Sequence, residues 1–287
     1  MAGRGTSSGI GALAARAALG WIRADPRAGR LERTNFHGRT VTLAGGPAMA
    51  AGATIGAVAG APSLAAAAAV VTAGAASGAV GFYDDIVGNR PEQKAAKGFR
   101  GHLGALKEGR VTSGLVKIAG VGAASLVASA LLAGDRGVRG HKRRQDSGKL
   151  ARATDVLLGA GVIAGTANLL NLLDLRPGRA IKAATVIGVP LVAGRGGAMT
   201  AGTLGAGAGL VKADLGEEVM LGDAGANALG ALLGVALAAK TGPAGRALAL
   251  TVLAGLTAAS EKVSFTQVIQ DTPWLRAADA LGRRPAP

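Results

Sequence analysis

Residues 64–83 read LAAAAAVVTAGAASGAVGFY, a stretch without a single charge, and the next two residues are Asp84 and Asp85. A bilayer hydrocarbon core of roughly 30 Å takes about 20 mostly apolar residues as one helix. This stretch is long enough to cross it. The pattern recurs along the chain: Val41–Ala61 and Val156–Leu173 carry no charge, and Gly114–Gly134 carries only Lys117. Ala226–Ala239 and Ala247–Ser260 are shorter runs of the same kind. Ala183–Ala193 and Ala198–Val211 are two apolar pieces hinged at Arg195-Gly196-Gly197, and Ile10–Ile22 is a weaker run interrupted by Arg16. Together they predict an all-α, polytopic transmembrane protein of about nine spans, forming one domain over residues 1–287. Its polar loops lie at about 23–40, 84–112, 135–153 and 212–225, with a polar tail at 261–287. The competing reading is a water-soluble protein of buried Ala-rich helices, although small residues are also what lets membrane helices pack closely. Ile10–Ile22 reads equally as a poor first span or as an amphipathic helix lying in the interface.

Composition narrows the chemistry. The 32 Lys and Arg against 17 acids give a net charge of +15, and there is no cysteine. Disulfides and thiolate metal sites are therefore excluded. A zinc centre would need most of the three histidines, His37, His102 and His141, together. The basic residues sit in loops between apolar runs rather than on one stripe, which fits cytoplasmic loops and anionic headgroups better than nucleic acid. Membrane is the expected partner and nucleic acid is not.

Acids are scarce, so their positions are informative. Asp84 and Asp85 follow an uncharged run directly. Asp174 ends another, after Asn168 and Asn171, at a spacing that puts all three on one broad helix face. Asp223 stands in Leu221-Gly222-Asp223-Ala224-Gly225, just before a further apolar run. Ionisable groups at membrane-helix ends are costly unless they face a wet or protein-lined site. Each alone reads as a cap or a solvated acid; three at helix ends read as a site. Alternating spans would place all three on one side, with the Arg-rich first loop. Carboxylates and Asn amides beside cations suit a hard ion such as Mg²⁺, which binds through one or two carboxylates plus substrate phosphates. Lys117 reads either as a phosphate ligand or as a lysine snorkelling to the interface.

At these residues the chain resembles the polyprenyl-phosphate N-acetylhexosamine-1-phosphate transferase superfamily, which contains the bacterial phospho-N-acetylmuramoyl-pentapeptide transferase. Gly81-Phe82-Tyr83-Asp84-Asp85 is similar to the family's Gly-x-x-Asp-Asp, and Asn168 to Asp174 to its Asn-x-x-Asn-x-x-Asp. Leu221–Asn227, followed by Leu229-Gly230, resembles its Gly-Asp-x-Gly-Ser segment. Arg33, Asn35, Gly38 and Gly45-Gly46 resemble the first cytoplasmic loop. The order and spacing match from about Leu31 to Ser260. The departures are Leu175 and Pro177, where the family has Gly and Asp, Ala226 in place of Ser, and Ser260–Asp271, which lacks the family's histidine-rich loop.

The resemblance implies a multi-pass plasma-membrane enzyme with a cytoplasmic active site, active in cell-envelope polysaccharide or peptidoglycan precursor synthesis. It would move a sugar-1-phosphate from a UDP-amino sugar to a polyprenyl phosphate and release UMP, with Mg²⁺ (or Mn²⁺) as cofactor. It assigns catalysis to Asp84, Asp85 and Asp223, the metal to Asp223 and Asp84, and substrate binding to Asn168, Asn171, Asp174 and Lys117. A homodimer is compatible with it. Two alternatives stay open: a non-catalytic relative that binds polyprenyl phosphate as an envelope-assembly partner, and a transporter with an acidic pathway.

Overall fold

The structure is a computed structural model and describes residues 2–88, 90, 98–135, 148–194 and 196–284. Twelve α-helices account for most of these residues: α1 (Arg4–Ala24), α2 (Gly45–Ala59), α3 (Leu64–Val87), α4 (Gly98–Lys107), α5 (Ser113–Gly134) and α6 (Lys149–Leu173), then α7 (Arg179–Val192), α8 (Gly197–Leu215), α9 (Gly222–Lys240), α10 (Pro243–Ser260), α11 (Phe265–Asp271) and α12 (Pro273–Ala280). The all-α expectation is met, and local chemistry sets several of the starts. Ser63 Oγ accepts the Ala66 N–H at 3.0 Å to open α3, and Thr112 Oγ1 accepts that of Leu115 at 3.1 Å to open α5. Pro243 occupies the first turn of α10, where its missing N–H costs nothing.

Small residues fix the helix registers. Gly81, Gly78 and Gly74 of α3 lie against Asp223–Ala224, Ala228 and Leu232 of α9, an antiparallel crossing. Gly230 and Gly234 on another face of α9 meet Ala167 and Ile163 of α6. Thus α9 is enclosed by neighbours, and 14 of its 19 residues are buried. Gly52 and Gly56 of α2 meet Ala15 and Gly11 of α1, and Gly56 also meets Gly202 of α8. Even a methyl at any of these glycines would stand under 3 Å from a neighbouring helix and push the two apart.

The span count differs from the sequence expectation. Among the described residues, α3, α5, α6 and α9 are long and apolar enough to cross a membrane. A fifth span results if α10 and α11, bent by 89° at their junction, count as one. Nine spans are not reached, for identifiable reasons. Helices α2 and α7 have only 15 and 14 residues. Helix α1 carries Arg4, Arg16 and Arg23, while the Gly-rich α8 carries Lys212 and Asp214. The first segment is nonetheless a member of the bundle, packed against α2 and α8.

Other boundaries also move. Val41 does not begin a helix: Thr40–Thr42 pairs antiparallel with Glu32–Thr34, forming a hairpin inside the Arg-rich loop, and α2 starts at Gly45. The pair Asp84-Asp85 lies within the last turn of α3 rather than after it, and Asp223 lies inside the first turn of α9. The acidic loop shrinks to residues 216–221, and the polar tail folds into α11 and α12. The basic run His141–Arg144, with Arg195, Lys94 and Lys97, lies outside the described residues.

The turn into α9 requires glycine. Gly222 has φ +57°, and a Cβ there would stand 2.7 Å from Asp85 Oδ1. A left-handed L-residue alone costs about 1–2 kcal/mol. Gly222→Ala should therefore lower the thermal stability of detergent-purified protein by at least about 1 kcal/mol. The control Gly122→Ala, where a Cβ meets nothing within 4 Å, should not.

Candidate carboxylate site

The end of the bundle formed by the α3 C-terminus and the α9 N-terminus gathers charges from three helices. Lys117 Nζ, one turn into α5, lies 2.6 Å from Asp84 Oδ2 and 2.5 Å from Asp223 Oδ2. The Asp84 and Asp223 carboxyls also lie within hydrogen-bonding range of each other, and Ser113 reaches Asp84. Their side chains keep 12–25% of their surface open, so the cluster is neither sealed in the core nor freely solvated. In the low dielectric of a bundle end, two neighbouring carboxylates repel strongly. The Lys117 ammonium offsets that repulsion while tying α5 to α3 and α9.

Asp85 does something different. Its Oδ1 accepts the Asp223 N–H and its Oδ2 accepts the Ala224 N–H, each at 2.9 Å. The first N–H groups of a helix have no partners of their own and carry the positive end of its dipole. Asp85 satisfies two of them from another helix and thereby fixes where Asp223 stands. Asp214 of α8 repeats the device: its Oδ2 accepts the Gly178 N–H at 2.9 Å, at the start of α7. Nothing in the sequence spacing signalled Asp214.

The third motif divides. Asp174 faces the cluster: burial first, then the charges of Asp214, Asp223 and Asp85, push its carboxyl well above the ordinary aspartate range, against a backbone hydrogen bond at Gly222. Asn168 instead donates from Nδ2 to Thr257 Oγ1 of α10 at 3.0 Å. The shared face expected for Asn168, Asn171 and Asp174 is thus split between two neighbours. Of the expected site residues, Asp84, Asp85, Asp223 and Lys117 are in contact and Asp174 stands beside them. Asn168 serves helix packing, and Asn171 contributes its carbonyl to the Asp174 N–H. Lys117, read from the sequence as a phosphate ligand or an interfacial lysine, has its ammonium between two carboxylates.

A clasp over this end was legible only as a charge contrast between the Arg-rich loop and the acidic one. Glu217, with φ +56° and its side chain 1% exposed, lies 3.0 Å from Arg39 Nη1 and 2.9 Å from His37 Nδ1, and accepts a hydrogen bond from Asn35 Nδ2. Thr42 bridges Val219, joining the hairpin to the loop before α9. Arg176, two residues beyond Asp174, stacks 3.8 Å above the Phe36 ring.

As a cation site the cluster is partial. Among the described residues, no three His, Cys, Asp or Glu side chains are arranged around one point. Asp84 and Asp223 do converge on one positive charge, that of Lys117. This suits the mode in which one or two carboxylates hold Mg²⁺ and phosphates or water complete its shell.

Two outcomes follow from the electrostatics. Lys117→Met leaves Asp84 and Asp223 facing each other without a counter-charge and should cost about 2 kcal/mol in thermal stability. Adding Asp84→Asn should recover part of that loss, and additive effects in the double variant would contradict the bridge. For Glu217, burial would raise its carboxyl, but hydrogen bonds from His37 and Asn35 and the charges of His37 and Arg39 hold it below the ordinary value of 4.5. A depressed folded-state value stabilises fully above the unfolded one and is lost as the pH falls through the folded one. Amide-exchange protection of the hairpin at 32–42 should therefore hold above about pH 4.5 and fall on further acidification. Glu217→Gln should weaken protection at neutral pH and remove the acid step. Comparison with protein-family models and with curated proteins finds no match for this chain.

Proposed function

We propose that the chain is a membrane transferase that moves a sugar-1-phosphate from a UDP-N-acetylhexosamine to a polyprenyl phosphate. The observation that carries this reading is the meeting of Asp84 and Asp223 at Lys117, with Asp85 and Asp174 beside them, although separate helix ends far apart in sequence supply these acids. They belong to three of the four segments on which the resemblance rests. A transporter pathway would instead place its acids at mid-helix depth, and these stand at helix ends.

In the reaction, an oxygen of the lipid phosphate attacks the β-phosphorus of the UDP-sugar. The bond from that phosphorus to the bridging oxygen breaks, and UMP leaves. Asp84 is the carboxylate placed to take the proton of the lipid phosphate, because both oxygens of Asp85 are engaged by the α9 amides. Asp85 holds Asp223 in position. Lys117 can give its positive charge to a phosphate oxygen once the two carboxylates are engaged elsewhere. A bound Mg²⁺, held by Asp223 and Asp84, would supply charge neutralisation on the pyrophosphate. Arg176 and Phe36, next to Asp174, offer a stacked face on the donor's side.

The proposal includes the topology. The nine helices α1–α3 and α5–α10 alternate in direction, and all nine cross or line the plasma membrane, with short α2 and α7 shielded by their neighbours. Arg23, Arg27, Arg30 and Arg33 lie at the carboxylate end, which makes that end cytoplasmic under the positive-inside rule. A second reading, a relative that binds polyprenyl phosphate without transfer, is favoured by Leu175, which is 60% exposed beside Asp174, and by Pro177.

The test is isotope exchange of UMP into a panel of UDP-amino sugars with polyprenyl phosphate and Mg²⁺. Exchange should disappear with chelator and fall by about 100-fold or more in Asp84→Asn and Asp223→Asn. Near-wild-type exchange in either variant would overturn the assignment. Absence of exchange while polyprenyl phosphate still binds would select the second reading.

A further inference from the structure

Helix α2 is short and rich in small residues, and it separates α1 from α3. Pro47, Ala50 and Ala51 form a low floor between taller walls, and the result is a groove of about 480 Å³. Trp21 and Ile22 stand on the α1 side and Phe82 on the α3 side, and the lining is almost wholly carbon. The volume lies within the ~300–1,000 Å³ range of small-molecule sites. Its place in the bundle is defined. Trp21 and Ile22 belong to the end of α1, Pro47 to the first turn of α2 and Phe82 to the end of α3, so the groove begins at the carboxylate end, and it runs toward the middle of the bundle as far as Ile55 and Ala75. It faces outward, since Trp21 is 77% and Ile55 50% exposed. It is separate from the Lys117 cluster, because Lys117 approaches α3 from α5 and α2 packs against other faces of α3.

Two further features identify an occupant. Arg23 follows Ile22, and Arg30 precedes Leu31, which also lines the groove. Both arginines are exposed; Arg23 lies 3.5 Å from Glu218 and Arg27 pairs with Asp25 at 3.1 Å, so Arg30 is the cation that faces an incoming head. An almost wholly apolar trough with Arg30 beside it fits a molecule with one hydrocarbon chain to bury and an anionic head to pair. Trp21, at the junction, is the residue type that membrane interfaces favour.

We propose that this groove is a binding site for an anionic diacyl phospholipid of the surrounding bilayer. One acyl chain lies over Ala50 and Ala51 between Trp21 and Phe82, and the phosphate is met by Arg30. The site does not depend on the transferase reading, and its test uses no activity.

The chain has two tryptophans, Trp21 and Trp274. In a Trp274→Phe background, Trp21 fluorescence reports on the groove alone. Reconstituted protein is given phosphatidylglycerol or phosphatidylcholine carrying bromine on one acyl chain, at equal mole fraction. The brominated phosphatidylglycerol should quench Trp21 more strongly than the brominated phosphatidylcholine. Ala51→Phe, which fills the floor, should abolish that excess, and Arg30→Gln should remove the headgroup preference while leaving quenching by both lipids. Circular dichroism and gel filtration establish that the variants are folded, and Ile55→Ala, which removes apolar surface one turn further along α2 instead of filling the floor, should weaken the excess without overpacking. Equal quenching by the two lipids in the parent would overturn the proposal. So would displacement of the brominated phosphatidylglycerol by equimolar polyprenyl phosphate, which would give the groove to an isoprenoid chain instead.

Discussion

Much of this end of the molecule depends on one constraint. Charges and unpaired N–H groups at the ends of apolar helices must find partners within the bundle, because little water is available to satisfy them. Lys117 meets it for two carboxylates at once, and Asp85 meets it for the first amides of α9. With those contacts in place, α3, α5 and α9 cannot shift along one another without exposing a charge or an orphan amide. Such pairs add little net stability when compared with apolar packing, and breaking one partner is costly. Their effect is to fix position, and they hold Asp84 and Asp223 face to face.

Packing reinforces that placement from below. Gly81 lets α3 approach the backbone of Asp223, and Gly46 brings the start of α2 against the Leu221 carbonyl. The clasp of Glu217 with Asn35, His37 and Arg39 then ties the hairpin to the short loop before α9. The far end of the bundle has its own buried ion pair, Arg246 with Asp155 at 2.6 Å, joining α10 to α6. Both ends are thus pinned electrostatically, and the middle is held by close helix contact.

The helical class and most helix positions were legible from uncharged runs alone, because apolar length is a direct demand of a low-dielectric surround. The carboxylate residues were legible as rare acids at run ends. The partner of Lys117 was not, since a lone lysine in an apolar run carries no mark of what it faces. The same limit hid Asp214 and the Asn168–Thr257 contact: helix spacing says which residues share a face, but not which neighbour that face meets. The hairpin at 32–42 was hidden because two three-residue strands have too little periodicity to register. Fewer helices than the nine expected are long and apolar enough to cross a membrane among the described residues, because short or charge-bearing helices look, in sequence, like complete spans.

The central claim is that Asp84 and Asp223 form a cation site that Lys117 occupies until a phosphate ligand arrives. Electron paramagnetic resonance of Mn²⁺ titrated into the purified protein, with and without UMP, tests it most directly. The account predicts weak Mn²⁺ binding alone, tight binding of one ion with UMP, and loss of that tight binding in Asp223→Asn. Mn²⁺ binding that is indifferent to both UMP and Asp223→Asn would contradict it.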